Sequence, residues 1–155
     1  MIYPLRSTFS ARILLVEHDD SMRDALRIAL EDEGYQVHPT PGPPAVEEIE
    51  DIRPDLLMLD VERHEAAGWR LVEELKSIPR MAQIPIVVSS GDGAIVAPED
   101  VRLRSEAAAI LVKPTNLDDL LPVVATALAR RECYHPGRDF VPEPSATPWM
   151  GSVGY

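Results

Sequence analysis

Short apolar runs alternate with amphipathic stretches along residues 11 to 131: RILLV (12 to 16), YQVH (35 to 38), DLLMLD (55 to 60), IPIVVSS (84 to 90) and AILVKP (109 to 114). Their apolar residues are consecutive rather than alternating, the pattern of strands buried on both faces of a parallel sheet. Between them, Met22, Ala25, Leu26, Ala29 and Leu30 fall on one helical face, with Asp19, Asp20 or Ser21 as caps and Gly34 as terminator. A second helix is expected from Ala45 to about Ile52, closed by Pro54, and a third from Trp69 to Lys76. A fourth, short or irregular, is confined by Gly91, Gly93 and Pro98 to about 99 to 107. The fifth is expected to open with Thr115-x-x-Asp118 and to carry Leu117, Leu120, Leu121, Val124 and Leu128 on one face. Pro122 interrupts it, so the helix either kinks or becomes regular only near Leu121. Strands and helices in strict alternation predict an α/β fold with a parallel sheet and helices on both faces.

The periodicity ends at Glu132. Residues 132 to 155 contain Pro136, Pro142, Pro144 and Pro148 and read as a flexible tail, with Phe140, Trp149 and Met150 available for docking; residues 1 to 10 read as an N-terminal arm. One domain is expected, over 11 to 131.

Composition changes the picture in two ways. A net charge of -11 argues against direct nucleic-acid binding and against anionic membranes. Cys133 is the only cysteine, no apolar stretch reaches membrane length, and the first ten residues lack the apolar centre of a secretory signal, so a cytoplasmic location is expected. The chain has two lysines, Lys76 and Lys113, which makes the one at the end of the last apolar run conspicuous.

In an open parallel sheet, ligands bind beyond the carboxyl ends of the strands. Glu17, His18, Asp19 and Asp20 follow the first strand, Asp60 ends the third, Ser90 the fourth and Lys113 the fifth. Carboxylates from two strands, a hydroxyl and an ammonium suit a hard cation with a phosphoryl group, with Asp60 as nucleophile. No G-x-G-x-x-G follows the first strand and no Walker loop is present, which argues against a nucleotide- or flavin-binding enzyme of the same topology.

The ordered pieces ILLVEHDDSMRDAL, PDLLMLD, Gly68, IPIVVSSGD and LVKP resemble the receiver domain of bacterial two-component response regulators. The resemblance implies a flavodoxin-like doubly wound sheet of order 2-1-3-4-5. It makes Asp60 the phosphoacceptor, Ser90 the switch hydroxyl and Lys113 the lysine that completes the site. It assigns a magnesium site to Glu17, Asp60 and the backbone carbonyl of Glu62, with His18 or Asp19 as the remaining acidic-pair position. It also implies a histidine kinase or phosphotransfer protein as phosphoryl donor, a non-enzymatic signalling role through a separate output protein, and a homodimer through the face of the predicted fourth helix, fifth strand and fifth helix.

Three positions depart from the family pattern. His18 stands where a second acid is usual, and imidazole is a poor Mg²⁺ ligand. That leaves three readings: a weakened Mg²⁺ site, a pseudo-receiver that no longer depends on phosphorylation and acts as an interaction scaffold, or an altered metal preference. His64 replaces a common proline, and Ile110 replaces an aromatic that partners the switch hydroxyl. Glu62 and Asp92 add acids near the pocket.

Overall fold

The computed structural model describes residues 10–61, 66–91, 107–113 and 116–132. Its strands are β1 (Arg12–Val16), β2 (Gln36–Thr40), β3 (Leu56–Asp60), β4 (Ile86–Ser90) and β5 (Ala109–Val112). All pairings are parallel and the order is β2-β1-β3-β4-β5. The described helices are α1 (Asp20–Asp32), α2 (Val46–Ile52), α3 (Ala66–Ser77) and α4 (Leu117–Glu132), the last being the fifth helical segment of the sequence pattern. The expected helix at 99 to 107, apart from its last residue, and the tail from 133 onward lie outside the described residues.

Consecutive apolar residues in a strand point to opposite faces, so each central strand feeds two cores. Leu14, Val16, Leu57, Leu59, Ile86 and Val88 pack with Ile49 of α2 and Leu71 and Leu75 of α3. Ile13, Leu15, Leu56, Met58 and Val87 pack with Leu26 and Leu30 of α1 and Leu120 and Val124 of α4. Every residue of β3 is buried, which fixes its register and therefore the place of Asp60 at its end. Gly68 lets α3 lie close to β3: a Cβ there would meet Val61 Cγ2 at 3.4 Å.

Several element ends differ from the sequence reading. β2 runs on through Pro39 to Thr40; it is an edge strand, where a missing backbone N–H is tolerated. α2 is closed by Arg53 in the left-handed conformation (φ 52°), ahead of Pro54, with its N–H donating to Ile49 O at 3.0 Å. Gly34, at φ 94°, follows α1 as expected. α3 starts at Ala66, before Trp69. Asn116 caps α4: its Oδ1 accepts from Asp118 N at 3.1 Å and its carbonyl from Leu120 N at 3.0 Å, while Thr115, expected to open the helix, lies outside the described residues. Pro122 lies inside α4, which is helical from Leu117 and does not wait for Leu121.

Candidate functional site

The site is built at the carboxyl edge of the sheet by backbone bonds that continue the ladder beyond the strands. Glu17 N donates to Thr40 O at 3.1 Å, Val61 N to Ser89 O at 2.8 Å and Lys113 N to Ser90 O at 2.8 Å. These bonds aim the side chains of Glu17, Asp60 and Lys113 at one place. Lys113 Nζ lies 2.9 Å from Asp60 Oδ1 and 3.2 Å from Glu17 Oε2. Asp60 Oδ1 is fully buried and makes no hydrogen bond of good geometry among the described residues, so the ammonium meets it as an ion pair rather than as an aligned donor.

His18 completes the group. Its Nδ1 is hydrogen-bonded to Asp60 Oδ2 and sits 3.4 Å from Glu17 Oε1. The Glu17 and Asp60 side chains are 2% and 4% exposed while His18 is 46% exposed, so the imidazole is the solvent-facing wall of the pocket. Asp19, next in sequence, turns away: it is the N-cap of α1, accepting from Met22 N at 2.7 Å, and only its backbone N–H reaches the site, 3.2 Å from Glu17 Oε1. Of the two alternatives for the acidic-pair position, His18 is the one the fold brings to Asp60.

Burial pushes the Glu17 carboxyl above its ordinary range, and the nearby Asp60 charge adds to this beyond what the Asp19 amide and Lys113 recover. For Asp60, burial acts in the same direction but is outweighed by Lys113 and His18, which hold its carboxyl below the usual range. Burial would lower Lys113; its two carboxylates outweigh that and hold it raised. The result is a buried carboxyl at Asp60 held toward its charged form beside the Lys113 ammonium.

Ser90 ends β4 and is buried. By strand alternation it follows Val88 toward α2 and α3, whereas Ser89 is the register partner of Asp60 and lines the small cavity shared by Asp60, Lys113 and Met58. Ser89 was not singled out by the sequence, where two adjacent serines at a strand end carry no signal of which faces the pocket. Arg23 was missed as well: its Nη1 donates to Glu17 O at 2.9 Å and its other nitrogen pairs with Asp20, tying the loop after β1 to α1. Only the Asp20/Arg23 spacing, one helical turn, could have flagged it. Glu62, His64 and Asp92 lie outside the described residues.

Glu17, His18 and Asp60 each offer one ligand atom within 4.8 Å of the others. The two carboxylates suit Mg²⁺, and the imidazole nitrogen does not. No described helix is long and apolar enough to cross a membrane.

The response regulator receiver domain family matches residues 13–125. Over 118 residues the chain is 28% identical to the regulatory protein AtoC of Escherichia coli K12, covering 76% of this chain and 25% of AtoC. It is 32% identical over 122 residues to the transcriptional regulatory protein PdtaR of Mycobacterium tuberculosis, covering 77% of this chain and 57% of PdtaR. The chain thus spans only part of these curated relatives. Among solved structures, it superposes on the receiver domain of a LuxO repressor protein from Vibrio parahaemolyticus with a TM-score of 0.70 at 25% identity, covering 81% of this chain and 95% of that one. The receiver domain of a histidine kinase from Syntrophus aciditrophicus gives 0.68 at 27% identity, covering 82% and 96%. With a five-stranded parallel sheet that superposes on receiver domains and a family match over residues 13–125, the chain belongs to the response regulator receiver domain family.

Proposed function

We propose that this receiver, taken as residues 11 to 131, accepts a phosphoryl group on Asp60 from a histidine kinase or phosphotransfer protein and passes the signal to a separate output protein. The observation that carries this is the buried Asp60 carboxylate with Lys113 Nζ at 2.9 Å. An Asp60 oxygen attacks the phosphorus of a donor phosphohistidine; the O–P bond forms, the N–P bond breaks and the donor imidazole leaves. Lys113 neutralises charge on the acceptor side throughout. The His18 ring must swing off Asp60 Oδ2 to admit the donor, and as a half-exposed side chain it has room to do so. Ser90, after movement, is the hydroxyl assigned to the transferred group. Glu17 and Asp60, with the carbonyl of Glu62, would hold Mg²⁺, which when bound offsets negative charge on the phosphoryl oxygens; His18 makes that binding weak. The face containing β5 and α4, where Val112 and Leu117 are exposed, is the surface assigned to output or to a homodimer. A cytoplasmic location, with no direct nucleic-acid or membrane partner, fits the charge of -11.

Incubation with acetyl phosphate and Mg²⁺ is expected to add one phosphoryl group by intact mass, lost in Asp60→Asn. No adduct at any Mg²⁺ concentration would sink the reading. One observation favours a second reading, a pseudo-receiver scaffold: His18 Nδ1 already occupies Asp60 Oδ2. In that case binding to the output protein would be identical for wild type and Asp60→Asn.

A further inference from the structure

Two donor side chains reach the carboxylates around Asp60. Lys113 Nζ lies 2.9 Å from Asp60 Oδ1 and donates to both oxygens of Glu17, Oε2 at 3.2 Å and Oε1 at 3.4 Å. Asp60 Oδ2 and Glu17 Oε1 also face His18 Nδ1, the first in direct hydrogen bond and the second at 3.4 Å. Oε1 also receives the Asp19 N–H at 3.2 Å, which orients it, so that an entering cation displaces only the longer Lys113 contact at 3.4 Å. An imidazole nitrogen between two carboxylate oxygens is the ligand set of a borderline ion rather than a hard one: Mg²⁺ asks for oxygen in near-octahedral array, whereas Zn²⁺ and Co²⁺ accept mixed N and O donors. A tetrahedral ion with bonds of about 2.1 Å spaces neighbouring donors by about 3.4 Å; Nδ1 and Oε1 already stand so, whereas Nδ1 and Asp60 Oδ2, in direct hydrogen bond, must part by a small turn of the half-exposed imidazole to admit it.

We propose that this pocket binds a divalent transition metal of the Zn²⁺ or Co²⁺ class through Glu17, His18 and Asp60, in preference to Mg²⁺. The inference deepens the receiver reading and rests on the pocket being a cation site. The metal takes the place of a proton on Nδ1, which leaves to solvent, while Nε2 keeps its hydrogen. Once the Nδ1 proton has left, two carboxylates against one ammonium leave the pocket with one net negative charge, which attracts a dication. The half-exposed His18 side of the pocket leaves the outer coordination position open to water or to a phosphoryl oxygen.

The test uses the untagged full chain stripped with a chelator, titrated calorimetrically with ZnCl₂ and separately with MgCl₂, and followed by visible absorption with CoCl₂. The expected result is one Zn²⁺ site tighter than any Mg²⁺ site, weakened at least about tenfold in His18→Ala, no less than the loss of an outer-sphere partner costs. A cobalt band characteristic of nitrogen ligation should appear in wild type and vanish in that variant. His18→Asp should narrow the Zn²⁺/Mg²⁺ ratio of affinities by a similar factor, and it carries the test if His18→Ala does not fold. Zinc affinity unchanged in His18→Ala, or a metal ratio unchanged in His18→Asp, would overturn the proposal and assign the zinc to other histidines. Acetyl phosphate added with each metal separates the two claims. Failure to modify Asp60 under any cation removes the phosphoacceptor reading and leaves the metal titrations standing, while modification with a His18-independent zinc affinity removes only the metal proposal.

Discussion

Lys113 is a single ammonium holding two buried carboxylates, and its removal should expose how much of the site's stability it supplies. With Lys113→Met, Glu17 and Asp60 would face each other at low solvent exposure with no ammonium between them. Breaking a buried ion pair by deleting one partner costs about 3–5 kcal/mol, because the remaining charge stays desolvated. The pocket opens to solvent at His18, so the lower end, about 3 kcal/mol, is expected here. Adding Glu17→Gln to Lys113→Met should recover part of that loss by removing the repulsion that raises Glu17. Urea unfolding of the three proteins in chelator checks both statements; an unchanged midpoint for Lys113→Met would show that Lys113 is not the partner of either acid in solution.

At the level of elements, the start of α1 decides the chemistry of the pocket. Asp19 and His18 are adjacent and both polar, but an N-cap needs a side-chain oxygen that accepts from the helix's first turn, and Asp19 supplies it to Met22 N at 2.7 Å. Once Asp19 is committed to the cap, the residue before it is the one turned toward β3. Asp19→Ala should therefore cost about 1 kcal/mol of stability and leave divalent-cation affinity unchanged. A fall in cation affinity without a fall in stability would mean that Asp19, not His18, serves the ion. Arg23 locks the same junction by holding the Glu17 carbonyl, so the loop after β1 is fixed from both sides.

For the whole molecule, the dominant fact is 26 acidic against 15 basic side chains. Self-repulsion of that size destabilises the compact state and is relieved by screening, whose length falls from about 30 Å at 0.01 M salt to about 8 Å at 0.15 M. The thermal midpoint in chelator should rise over that range of sodium chloride. A flat or falling midpoint would show that surface ion pairs such as Arg27 with Glu31, at 3.0 Å, outweigh the net repulsion. Separating this general salt effect from cation binding requires the same scan on His18→Ala, in which screening persists and site binding does not.

The order of elements was legible in the sequence because burial on both faces leaves a local mark: β1, β3 and β4 are runs of consecutive apolar residues, and a polar group ends or directly follows each at the same edge of the sheet. A parallel sheet forces those ends together, so Glu17, Asp60 and Lys113 could be placed in one pocket before any coordinates. Element boundaries were less legible where one residue competes with its neighbour for a role, as Arg53 did with Pro54. The same competition hid the orientation of adjacent polar residues. Whether His18 or Asp19 meets Asp60, and whether Ser89 or Ser90 lines its cavity, depends on a cap hydrogen bond and on a strand register that join residues distant in sequence. Sequence by itself determined which side chains reach the carboxyl edge, since periodicity and strand length are local properties. Only the tertiary structure decided which atoms touch, because a shift of one residue along a strand or at a helix start turns a side chain to the opposite face.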